Sequence, residues 1–213
     1  MRRPARWRNV ALGTAGSGAI ALASAFVLPR PVLDSWVGAV CFLVGPMALI
    51  FGGLFTSWWH AQAKAEAALR RGEGLVARWS VDAETWRRFV ELNRTFSINQ
   101  QPVHAHGPND RVEVWVGNSA LIVDGWVHTL AGVWGQGDPL ASSSGDWTVE
   151  QAQMGGDAPC CIYLYVSMRG RGARVRTNLI FPVAADAAEA GRLAFESLRA
   201  RAEHYSRLAD NAA

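Results

Sequence analysis

The chain has 213 residues, half of them hydrophobic, with 21 basic and 18 acidic side chains; its mean hydropathy is +0.04 and its pI about 9.1. Five of the basic residues and one acidic residue precede His60, leaving 16 against 17 in the remainder, so the basicity is confined to the N-terminal part and does not form a nucleic-acid-binding face. Cys160 and Cys161 are neighbours in an expected strand and point to opposite faces, which argues against a disulfide or shared metal there, and an odd count of three cysteines without a Cys-x-x-Cys pair fits a reducing compartment.

Residues 1–9 form a basic arm carrying Arg2, Arg3, Arg6 and Arg8. Val10–Leu28 then runs for 19 positions without a charge, and Ser35–Trp59 for 25 more. At ~1.5 Å per residue these runs reach ~28 and ~37 Å, enough to cross a hydrocarbon core of ~30 Å. They predict two transmembrane helices, 10–28 and 35–59, joined by a short external loop at 29–34. Ala23-Ser24-Ala25 has the look of a signal-peptide cleavage triplet, yet the second run would still anchor the chain. Lys64, Arg70, Arg71 and Arg78 follow the second run, and only Arg30 lies between the two. The positive-inside rule therefore predicts a multi-pass protein with N- and C-termini cytoplasmic.

Trp7, Trp36, Trp58 and Trp59 stand at the ends of these runs, where an amphipathic indole anchors to the lipid–water interface. His60 beside them is an interface residue by the same reasoning. In the second run Gly38, Gly45 and Gly52 recur every seven residues, with Cys41, Ala48 and Phe55 between them. Small residues on one seam let helices approach closely. The seam can serve the first span, or a homodimer. Apart from Cys41 no ionisable group lies in either run, which argues against a transporter acting alone.

His60–Arg71 is rich in helix formers and ends at Gly72, which predicts a helical stalk. Residues 72–213 are of single-domain length. Alternating patterns predict strands at Leu75–Val81, Val112–Val116, Ala120–Val123, Trp126–Leu130, Trp147–Gln151, Cys160–Val166 and Val175–Phe181. An amphipathic helix capped by Asp82 follows the first strand, and a C-terminal helix is expected to start at an Asp186 cap with Glu189 three residues on. The fold class is α+β, with about seven mostly antiparallel strands and a closing helix.

The two N-terminal spans, the segment Arg71-Gly-Glu-Gly-Leu-Val-Ala-Arg-Trp-Ser-Val-Asp-Ala-Glu-Thr-Trp-Arg-Arg-Phe89 and the short strands with a helix resemble uncharacterised bacterial membrane proteins. The cytoplasmic part of those proteins is similar to pleckstrin-homology-like domains. The resemblance covers most of the chain but rests on layout, and the helix after the first strand departs from the simple seven-strand plan. It implies a bacterial inner-membrane protein with a binding or scaffold module, and it transfers no active-site residues.

Arg169, Arg171, Arg174 and Arg176 cluster at a hairpin tip and are candidate contacts for anionic lipid head groups or a partner. His104 and His106, with Asp110 nearby, lack further ligands at metal spacing and are expected in a polar loop. Neither a nucleophile elbow nor a phosphate loop is present, Ser142-Ser-Ser-Gly145 has no associated base, and His128 falls within a strand. No metal or cofactor is implied. The expectation is a membrane-anchored protein- or lipid-binding module, with an accessory subunit of a larger membrane complex and an enzyme with an unrecognised site as alternatives.

Overall fold

The computed structural model describes residues 4–27, 36–96, 106–107, 110–131, 147–157, 159–169 and 174–211. The chain divides into two units, Arg2–Lys64 and Ala65–Ala213.

The first unit holds helix α1, Pro4–Val27, and most of helix α2, Trp36–Arg70. α1 begins within the basic arm, and α2 runs unbroken through Pro46. Thr14 and Ser17 of α1 donate to the carbonyls of Val10 and Gly13, and Thr56 of α2 to that of Gly52. Such back-bonding satisfies these three hydroxyl donors within the helix itself. Among the described residues one stretch, Cys41–Arg70, is long and apolar enough to cross a membrane. The expected loop 29–34 lies outside the described residues.

The second unit is α+β. Strands β1 (Leu75–Val81), β2 (Val112–Gly117), β3 (Ala120–Val123) and β4 (Trp126–Thr129) form one antiparallel sheet in that order; β5 (Trp147–Gly155), β6 (Cys161–Arg169) and β7 (Arg174–Pro182) form a second. Helix α3 (Ala83–Phe96) follows β1, and helix α4 (Ala188–Asn211) ends the chain. The seven strands and the closing helix match the expectation from sequence. Asp82 caps α3 by accepting from the Thr85 N–H at 2.9 Å and the Thr85 hydroxyl at 2.7 Å, and these bonds hold its carboxyl below the usual range. Asp186 does not cap α4. A 3-10 turn, Ala185–Ala187, precedes the helix with Ala184 at its N-cap and no side-chain cap bond. The chain leaves β7 at Pro182 so directly that Asp186 falls inside the turn.

Alternation along the strands sends Val81, Val114 and Val116 of the first sheet and Ile162, Leu164 and Val166 of the second into one core with Phe89, Phe181 and Leu198. α4 packs on β1 and β5 and so bridges the sheets. Trp79 of β1 donates its indole N–H to the Pro182 carbonyl at the end of β7 (3.1 Å). On the other side Leu130 bridges to Trp147, and the Ala131 N–H reaches the Trp147 carbonyl at 2.9 Å.

A smaller core covers the outer face of the first sheet, where Leu69 and Ala65 of the α2 terminus pack on Trp115, Ala120, Ile122 and Val127. α2 stops there in a Schellman turn: the Glu73 N–H returns to the Ala68 carbonyl and the Gly72 N–H to that of Leu69, with Gly72 at φ +85°. Only glycine adopts that conformation without strain.

Candidate functional site

In the first unit the small-residue seam is the buried stripe of α2. Gly38, Gly45 and Gly52 are buried, with Cys41 and Ala48 half-buried between them. A Cβ on Gly52 would come within 2.6 Å of the Ala15 backbone nitrogen, and one on Gly18 within 2.7 Å of the Gly45 carbonyl oxygen. Ala15, Gly18 and Leu22 thus meet α2 in descending order, so the two helices run antiparallel with their backbones touching. Opposite the seam, Phe42, Leu43, Met47, Ile50, Phe51 and Leu54 are all at least half exposed. Trp7 of α1 stacks on Trp59 of α2 with centroids 6.2 Å apart, while Trp36 at the other end is 77% exposed. Trp58 lies in α2 beside Trp59.

The arginines flank the end of the β6–β7 hairpin. Arg169 pairs with Arg174 and Ser167 with Arg176 in the backbone register of β6 and β7. Arg171 lies outside the described residues. Arg176 is 3.4 Å from the Glu150 carboxylate, which partly offsets its charge.

His106 takes a place that periodicity alone does not show. Its Nε2 lies 2.7 Å from Asp124 Oδ1, and both side chains are mostly shielded from solvent. Asp124 (φ 52°) and Gly125 (φ 72°) form the β3–β4 turn, a type I′ geometry that Asp-Gly favours for local reasons. The turn leaves the carboxylate free to meet the imidazole. The His106 ring also sits 5.9 Å from that of Trp86 on α3. His106, Gly107, Trp86, Ala83 and Val90 line a cleft of about 400 Å³ along α3. Glu84 borders it and accepts from Arg87 at 2.8 Å and from Arg88 at 2.9 Å, bonds that hold its carboxyl at about 2. His104 lies outside the described residues, and Asp110 accepts the Gly107 N–H (3.0 Å). Among the described residues no three His, Cys, Asp or Glu side chains come together to hold a metal.

Two buried polar residues serve the fold. Arg201 of α4 has no acidic partner among the described residues; it donates to the Ala131 carbonyl at 2.7 Å and to that of Asn118, and burial lowers its pKa to about 10. Its charge is thus solvated by carbonyls at the ends of the first sheet. His128, buried on β4 beside Trp147, is held neutral, its pKa lowered by burial to about 4. The sequence showed His106 only as part of a polar loop. Nothing in it pairs that histidine with Asp124, because the contact depends on where the β3–β4 turn lands.

On the outer face of the first sheet Arg78 lies over the Trp115 ring at 4.1 Å, with Arg70 at 5.6 Å. Glu113 accepts from Arg78 and from the Trp115 indole. These contacts surround the docked end of α2 and complete its attachment. No protein-family model matches this chain, and no curated protein or solved structure matches it either.

Proposed function

We propose that the chain is a membrane-anchored binding module. In this reading α1 and α2 form a two-span hairpin in a bacterial inner membrane with both termini cytoplasmic, and the α+β unit is a pleckstrin-homology-like domain that engages a protein or anionic lipid. The observation that carries it is the division of α2 into two faces. Its small residues are spent on α1, while a ridge of large apolar side chains is left outward, an arrangement that water penalises and acyl chains accept. The tryptophans at the helix ends and the basic residues flanking them support the same placement. The four-plus-three sheet arrangement closed by a C-terminal helix supports the domain reading.

A C-terminal reporter tests the orientation. A fluorescent-protein fusion should glow and an alkaline-phosphatase fusion should stay inactive; active phosphatase would reverse the topology and the lipid assignment together. For lipid contact, the Ala65–Ala213 fragment should pellet with phosphatidylglycerol vesicles at low salt. Changing Arg169, Arg171, Arg174 and Arg176 to alanine should release it. Undiminished pelleting of that variant would remove the arginines from the proposal.

A further inference from the structure

We propose that the end of the α1–α2 pair beside Trp7 and Trp59 holds the phosphate of one anionic phospholipid, with Arg8 as its anchor. Arg8, Ala11, Ala15, Gly18 and Leu22 are buried or half-buried, alternately three and four residues apart, which is the spacing of a helix–helix seam. Ala15, Gly18 and Leu22 meet α2, and the Trp7–Trp59 stack continues the same antiparallel register. Arg8 thus stands at the end of a seam whose other positions are small or apolar. Its Nε is buried and has no hydrogen-bond partner among the described residues. Its Nη2, on the exposed side, lies 3.4 Å from Asn9 Oδ1, longer than a usual hydrogen bond. Packing fixes the side chain, and only a weak neutral contact meets its charged end.

Carboxylates are elsewhere. The one acidic residue in the sequence of Arg2–Lys64 is Asp34, which precedes Trp36 at the far end of α2 from Trp59. Glu66, farther along α2, is bonded to Arg70 at 2.9 Å. A guanidinium held without a counter-ion at the level of interfacial tryptophans faces lipid head groups, and its fork matches two phosphate oxygens. Basic pockets between spanning helices bind such groups. Val10 and Leu12, both exposed on α1, give the acyl chains an apolar surface next to it.

The site rests on the membrane placement of α1 and α2, and not on the arginines of the β6–β7 hairpin. The test assembles the full chain into nanodiscs of phosphatidylcholine and phosphatidylglycerol, releases it into mild detergent, and identifies the retained lipid by native mass spectrometry. One phosphatidylglycerol should stay bound in preference to phosphatidylcholine. Arg8→Gln should cut that retention about tenfold, the loss of a hydrogen bond to a charged group. Arg6→Gln, exposed on the same helix, should retain lipid as the parent does. Should Arg8→Gln not insert, Arg8→Lys carries the comparison: it keeps the charge, loses the fork, and should retain severalfold less. Excess inorganic phosphate should leave the lipid in place. Undiminished retention in the Arg8 variant, or an equal loss in Arg6→Gln, would overturn the anchor. Displacement by inorganic phosphate would make the ligand a soluble anion and overturn the lipid. A chain that enters nanodiscs but shows no preference for phosphatidylglycerol would overturn the site alone. One that stays out of them and washes from membranes in alkaline carbonate would overturn the membrane placement and the site together.

Discussion

At the scale of single residues, burial without a partner has a measurable consequence at His128. Its Nε2 is buried and has no hydrogen-bond partner among the described residues, and the ring packs edge-on against Trp147. The folded chain holds this imidazole neutral down to about 4, against 6.5 for the free side chain. Between those values the unfolded chain takes up a proton that the folded chain refuses. His128 therefore leaves stability intact above pH 6.5 and erodes it as the pH falls toward 4, by about 3 kcal/mol at ~1.4 kcal/mol per unit. His128→Phe keeps a buried ring and removes the proton site. Urea unfolding of that variant should show a flatter pH dependence between 6.5 and 4 than the parent, and a parallel pair of curves would refute the assignment.

At the scale of elements, the two helix contacts differ in character and can be tested separately. The α1–α2 contact is backbone on backbone, and a Cβ on Gly45 would lie 3.6 Å from that of Ala21. This is within the ~3.5–4.5 Å that a disulfide spans. In a background with Cys41, Cys160 and Cys161 changed to serine, Ala21→Cys with Gly45→Cys should cross-link within one chain on mild oxidation. Adding Gly52→Ile should reduce the yield, because its side chain would collide with Ala15. Gly53→Ile, which faces open space, should not. The contact of α2 with the first sheet is a small apolar core centred on Leu69, which is 2% exposed. Leu69→Ala should cost about 3 kcal/mol in unfolding experiments and speed amide exchange at the paired β3 and β4 residues more than in β6. Equal effects on all three strands would mean that the helix end is not a local clamp.

At the scale of the molecule, the α+β unit is held as one body because the sheets share a core and are tied at both margins. Trp79→Phe removes the donor to the Pro182 carbonyl and leaves that carbonyl unpaired, a loss of about 1–3 kcal/mol. Because the bond joins β1 to the end of β7, exchange protection in both sheets should fall in step. Loss confined to one sheet would show that they unfold separately.

The periodicities of the sequence determined the apolar runs, the glycine seam, the seven strands and the closing helix. Each is a local pattern: side chains repeat every two residues on a strand, every 3.6 on a helix and every seven on a close-packed seam. The tertiary structure alone decided which of those faces meet. The Asp186 cap failed because the end of β7 sets where α4 starts. Trp115 and Glu113, on the polar-side positions of β2, became a clamp only once the α2 terminus docked there. His106 and Asp124 lie 18 positions apart and meet because a turn chosen for its backbone geometry happens to present a carboxylate. Contacts of that kind depend on distances between elements, and no residue spacing along the chain encodes them.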